Sequence, residues 1–199
     1  MTAQINDRFR HCGAEYSLAG ISEGELFDPS ILDLKPAMAS TACWRGYQAI
    51  FAVLDSRLVL DTLHVNLPEG EREECRSVQG PAINGVAPTG SREGFDFFNN
   101  HYEGLDYYLE YSGGLLIADG FIYDLYVHMG FHPPWKYKTV IELVFEDGVL
   151  RKEFDRSERM AKVRQLMLDF PKDDGDRRIP NRDEIQQFVE RAFDRSYHM

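Results

Sequence analysis

Apolar and polar positions alternate most clearly between Trp44 and Leu67. Tyr47, Ala49, Phe51 and Val53 fall on one side of a two-residue period, and Asp55-Ser56 supplies turn chemistry. A second alternating run follows, with Val59, Leu63, Val65 and Leu67 on one face. Two such runs joined by a short polar turn predict a β-hairpin. The same pattern recurs from Lys138 to Phe154, where Thr139, Ile141, Leu143 and Phe145 share a face and Glu146-Asp147-Gly148 makes the turn. Between the hairpins, Leu105 to Phe131 predicts three short strands broken at Gly113-Gly114 and at Asp119-Gly120. Arg8 to Ile21 adds a strand or a pair.

After residue 154 the period lengthens. Met160, Val163, Met167 and Phe170 recur at helical spacing behind Asp155 and Glu158, which have the spacing of a capping box. Asn181 and Glu184 open a second helix with the stripe Ile185, Phe188, Val189, Ala192 and Phe193. Both stripes need a surface to cover, and a sheet face provides one. The reading is a single α+β domain over residues 1–199. Residues 8–154 form a mostly antiparallel sheet, curved or partly closed, of about seven to nine strands. Residues 155–199 add two helices packed on it. Pro68 to Gly94 is an irregular excursion, rich in glycine and glutamate, with no period at all.

Composition narrows the function. The chain carries 22 Lys+Arg against 33 Asp+Glu, a net charge of −11. Such a molecule repels a phosphate backbone, so nucleic acid is not an expected partner. The opening residues have no apolar h-region, and no apolar run is long enough to span a bilayer, so a cytoplasmic protein without a membrane role is expected. Cys12, Cys43 and Cys75 have no paired spacing and read as reduced thiols. Oligomeric state has no signature in the sequence.

The acidity is concentrated. Glu93 to Trp135 holds seven carboxylates and twelve aromatics in 43 residues, with no Lys or Arg. Tyr107 and Tyr108 must point to opposite faces of a strand. Carboxylates interleaved with outward rings suit capture of a basic protein, the carboxylates steering the encounter and the rings supplying packed area. This predicts a non-catalytic binding protein, of the inhibitor or immunity type, whose partner is a basic toxin or nuclease. Asp106, Tyr108, Glu110 and Trp135 are the expected contacts. A small-molecule or carbohydrate binder using the same rings is a further possibility, particularly if the sheet closes into a cup.

Catalysis has one candidate. The segment Ser40 to Tyr47 is similar to papain-like cysteine proteases in setting a Cys43-Trp44 pair after a small residue. The resemblance implies a cysteine-dependent hydrolase or transferase, with Cys43 activated by His101 or His128. The sequence departs from that pattern, because the family's nucleophile begins a helix behind another cysteine and a glycine, whereas Tyr47 onward alternates as a strand. His128 and His132 are four apart and would share a strand face, so a two-histidine metal site is conceivable, though Gly130 and Pro133-Pro134 exclude a helix there. Asp173-Asp174-Gly175-Asp176 lacks the ligand spacing of a calcium loop. No cofactor is expected, since no phosphate-binding glycine loop or zinc motif is present.

Overall fold

The computed structural model describes residues 2–68, 79–92, 94, 96–169 and 182–198. Among these residues eight strands are formed: β1 Arg8–His11, β2 Ala14–Ile21, β3 Tyr47–Leu54, β4 Arg57–Val65, β5 Asn100–Tyr108, β6 Gly113–Phe121, β7 Tyr137–Glu146 and β8 Val149–Asp155. Helices α1, Ser157–Asp169, and α2, Arg182–Phe193, follow. Three hairpins turn on two-residue loops at Cys12-Gly13, Asp55-Ser56 and Asp147-Gly148. All six residues have positive φ, the conformation whose twist matches that of paired strands.

The strand order is β3-β1-β2-β6-β7-β8-β4-β5, and β3 also pairs with β4. Seven strands therefore close on themselves, with β5 added beside β4. The closure is weakest at β4–β8, where Arg57 faces Val149 in a single register pair. Every pairing is antiparallel except β1 with β3. The predicted α+β architecture with a partly closed, mostly antiparallel sheet is the one observed.

Strict burial alternation breaks down where a strand is covered on its outer face as well as its inner one. Along β6, Leu115 and Ile117 belong to the main core inside the ring, with Phe9, Leu18, Leu58 and Tyr102. Leu116 and Ala118 face the other way, into a second core with Ala19, Tyr137, Val140 and Met160. Both faces of β6 are thus dry. The outer core is covered by the start of α1 and by Tyr197. Glu142 is buried there because Arg156 donates to its Oε2 from Nε at 2.8 Å and from Nη2 at 2.6 Å, and the Tyr197 hydroxyl donates to Oε1 at 3.0 Å.

Three expectations need correction. Only two strands, β5 and β6, form between Leu105 and Phe131; Asp119-Gly120 lies inside β6, with Asp119 paired to Thr139. Residues 122–136 contain the short turns Tyr123–Leu125 and Pro134–Lys136 and a bridge from Gly130 to Ala3 in place of a third strand, in keeping with Gly130, Pro133 and Pro134. Of the first helical stripe, Met160 is buried and Val163 half-buried, but Met167 is half exposed. α1 therefore rests on the sheet by its first turns; Asp155 Oδ1 accepts from the Ser157 N–H at 2.8 Å, while Glu158 pairs with Lys162 at 2.7 Å in place of the reciprocal contact of a capping box. α2 docks instead by its C-terminal end: the Phe131 N–H donates to Ala192 O at 2.8 Å, and Phe193 stacks on Trp44 with centroids 5.2 Å apart. The side chains of Ile185, Phe188 and Val189 lie outside the described residues, as do Phe170, Cys75 and the Asp173–Asp176 turn. Within the excursion, residues 69–78 are outside them too. Its second half is tied to β5, with the Tyr102 hydroxyl donating to Pro81 O at 2.9 Å and Thr89 bridging to His101.

Candidate functional site

The segment from Glu25 to Asp28 closes one end of the main core. Leu26 and Phe27 are buried, and the Phe27 ring meets Tyr47 and Phe51 edge-on. Tyr47 also holds the segment by its hydroxyl, which donates to Phe27 O at 3.3 Å. Anchoring the central pair turns Glu25 and Asp28 outward into solvent. Asp28 caps the turn Pro29–Leu32, accepting from the Ser30 N–H at 2.9 Å and the Ser30 hydroxyl at 2.6 Å. Those bonds hold its carboxyl below the usual range, so it is ionised near neutrality.

Opposite this segment, the end of β5 presents Tyr107, Tyr108 and then Glu110. Leu109 is buried and its N–H donates to Leu58 O at 3.0 Å, while the Gly148 N–H donates to Tyr111 O at 2.9 Å. These straps fix the backbone on either side of Glu110, which is exposed. Tyr107 is half-buried against the core and Tyr108 is 46% exposed, the opposite faces that alternation requires. Between the two segments lies a cleft of about 460 Å³ whose charged lining groups are Glu25, Asp28 and Glu110, with Tyr107, Tyr108 and Ile31 as its apolar walls. Arg57 stands beside one wall, its guanidinium 4.6 Å from the Tyr108 ring centre.

The expected contacts therefore separate. Tyr108 and Glu110 share the cleft. Asp106 is exposed on the same strand, in a left-handed conformation within a bulge where Gly104, Leu105 and Asp106 oppose Asp61 alone. Trp135 belongs elsewhere: it packs against the outer core, and its carbonyl accepts from Arg164 Nε at 2.7 Å. Other rings of the acidic stretch are core, with Tyr102, Tyr111 and Phe98 all buried. Glu25 and Asp28 are the carboxylates that sequence reasoning missed. The pair Asp28-Pro29, a cap followed by proline at the first helical position, was the readable signal for Asp28.

Beside the cleft, and sharing Glu25 and Asp28 with it, is a pocket of about 380 Å³ with Arg45 and Arg195 in its wall. Both arginines pair with Asp7. Arg45 donates from Nη1 and Nη2 to the two carboxylate oxygens at 2.7 and 2.6 Å, and Arg195 Nη1 adds a third contact at 3.0 Å. The Ala49 N–H completes the set at 2.8 Å. Burial would raise the Asp7 carboxyl, but the two guanidinium charges and these bonds hold it below its ordinary value. Arg195 reaches Asp7 because the tail before and after it is laid along β2: the Ile21 N–H donates to Arg195 O at 2.9 Å and the Tyr197 N–H to Ile21 O at 3.3 Å. The tail can lie that close because position 114 is glycine; a Cβ there would stand 2.0 Å from the Tyr197 hydroxyl.

The remaining candidates are placed as follows. Cys43 is buried, its Sγ directed at Tyr47 O at 3.4 Å, and burial pushes its thiol up, against the direction a nucleophile needs. His101 is buried between Asp96, 2.7 Å from Nε2, and His64, 2.9 Å from Nδ1. His128 Nδ1 bonds the Tyr126 hydroxyl at 2.9 Å. Neither histidine is hydrogen-bonded to Cys43 among the described residues. His132 lies beside Phe121 and Tyr126 with both ring nitrogens buried and unbonded. Among the described residues no three His, Cys, Asp or Glu side chains are grouped as a metal ion would require, and no helix is long and apolar enough to cross a membrane.

A scan against protein-family models and searches of curated proteins and of solved structures each find no match.

Proposed function

We propose that this is a non-catalytic binding protein that captures a basic partner, of the kind an inhibitor or immunity protein neutralises. The observation that carries the reading is the cleft lined by Glu25, Asp28, Glu110 and two tyrosines, with no Lys or Arg among the described residues that line it. Three carboxylates on one concave surface repel one another unless a cation lies among them, so a basic side chain entering the cleft relieves that repulsion. Tyr107 and Tyr108 add flat contact area at small entropic cost, and Tyr108 already accepts a guanidinium on its ring face. The net charge of −11 draws basic proteins toward this surface at long range.

The test is calorimetric titration with an acetylated, C-terminally amidated hexapeptide carrying three arginines, at low and high salt, beside an acidic peptide of equal length. The parent protein should bind the basic peptide alone, and more weakly as salt rises. The triple variant Glu25→Gln, Asp28→Asn, Glu110→Gln should bind about tenfold more weakly or worse, with a flatter salt dependence. Asparagine at position 28 keeps the cap, so the fold is preserved. Equal binding by parent and variant, with unchanged melting, would show that the cleft is not where basic ligands sit.

A further inference from the structure

The pocket next to the acidic cleft carries charge of the opposite sign. Asp7 brings one negative charge to two guanidiniums, so the cluster holds a surplus of one positive charge. Both arginine side chains are largely buried, Arg45 at 20% and Arg195 at 18% exposure. Arg45 directs both terminal nitrogens to Asp7, and its Nη2 also faces Ile5 O at 3.4 Å. Arg195 makes one hydrogen bond, from Nη1, so its Nε and Nη2 donors have no protein acceptor among the described residues. Its guanidinium is held 4.7 Å from the centre of the Phe131 ring. Neither Glu25 nor Asp28, which line the same pocket, is ion-paired with either arginine among the described residues.

A half-buried guanidinium with unused donors is a site for a planar anion, because its fork matches a carboxylate in shape and charge. An isolated anion is nevertheless a poor fit, since Glu25 and Asp28 form the far wall and repel it. A ligand that offers an anion to Arg195 and Arg45 and a cation to Glu25, Asp28 and Glu110 satisfies both pockets together. An internal lysine or arginine of a protein has no such anion. A C-terminal lysine or arginine does, its free α-carboxylate lying one side chain away from its own charge. We propose that the two pockets together recognise the basic C-terminal residue of a partner chain, with its carboxylate on Arg195 and Arg45 and its side chain among Glu25, Asp28 and Glu110. This inference rests on the acidic cleft being the binding site, and adds to it a demand for a free chain end.

The experiment compares three ligands on the unmodified protein by calorimetry: an acetylated hexapeptide carrying three arginines, one of them C-terminal with a free carboxylate; the same peptide as its C-terminal amide; and free arginine. The free acid should bind about tenfold tighter than the amide or better, the worth of a charged hydrogen-bonded contact. Arg195→Gln should bring the acid down to the level of the amide while leaving the amide unchanged. Arg195→Lys should restore part of the difference, since the charge returns without the fork. Equal affinity of acid and amide overturns the chain-end inference and leaves the acidic cleft standing. Free arginine binding as tightly as the acid peptide overturns it also, in favour of a small-molecule site. Failure of all three ligands removes both the inference and the reading on which it rests. The acid–amide comparison needs no variant, so a folding defect in the Arg195 substitutions does not obscure it.

Discussion

Asp7 shows how one side chain can tie distant parts of the fold together. Its carboxylate is 4% exposed and joins residues 188 positions apart in the chain, since Arg195 donates to it from the C-terminal tail. Removing the charge leaves two half-buried guanidiniums without a counter-ion, a far greater loss than that of a surface pair. Asp7→Asn should destabilise the fold by about 3 kcal/mol or more, read as a lower denaturation midpoint with an unchanged slope. A loss under about 1 kcal/mol, the level of an exposed ion pair, would mean that water screens the cluster. Nothing in the sequence around Asp7 announces this role. Arg45 and Arg195 are unremarkable residues there, and the triad exists only once the tail crosses β2. Glu110 and Tyr108 were legible because strand alternation forces one of two neighbouring tyrosines outward. Trp135 was misplaced for a related reason: composition records that rings are present, but burial depends on what packs against them.

Among the elements, the hairpins were the most legible. Each depends on a two-residue turn whose chemistry is local: Asp55-Ser56 and Asp147-Gly148 interrupt alternation with turn residues, whereas the Cys12-Gly13 turn lay unmarked inside a stretch read as a strand or a pair. The contact between α2 and the loop before Phe131 is of another kind. Gly130 has φ +61°, and a Cβ on it would lie 2.0 Å from Ala192 O in the last turn of α2. Gly130→Ala therefore meets both a left-handed backbone and a backbone clash that no rotamer relieves. The expected cost is about 1–3 kcal/mol, with the end of α2 displaced. Hydrogen exchange should show faster exchange of the Phe131 amide, which now donates to Ala192 O, while the β6–β7 amides stay protected. Uniform loss of protection across the sheet would show instead that this contact is part of the global unfolding unit. Capping at Asp155 was readable, but not how much of α1 the sheet would cover, because the stripe does not say where the partner surface ends.

At the scale of the whole molecule, acid should destabilise the fold through its neutral histidines. Burial, and for His64 the neighbouring His101, lowers the pKa of His64 to about 4; burial and then Lys136 do the same for His132, also to about 4. Unfolded histidines titrate near 6.5, so between those values the unfolded chain binds more protons than the folded one. Stability is complete above the unfolded value and falls as pH drops through this window toward 4. The melting temperature should decline from near-neutral pH to about 4, and His132→Phe should flatten the decline by removing one of the two groups. A melting temperature constant across that window would mean that both rings are solvated in the folded state.

The sequence by itself determined the strand-rich α+β class, two of the three tight turns, the start of α1 and the acidity of the chain. Each follows from short-range chemistry: a period of two, a left-handed dipeptide, a cap or a charge count. Tertiary structure alone decided which strands would close the sheet, that both faces of β6 would be dry, and that Glu25, Asp28 and Glu110 would share one cleft beside Arg45 and Arg195. Alternation tells which side chains oppose one another across a strand, but not which face the rest of the chain will cover. Glu25 and Glu110 meet because buried neighbours, Leu26 with Phe27 and Leu109, anchor two distant loops to the same core. That convergence is a property of packing, and no window of sequence contains it.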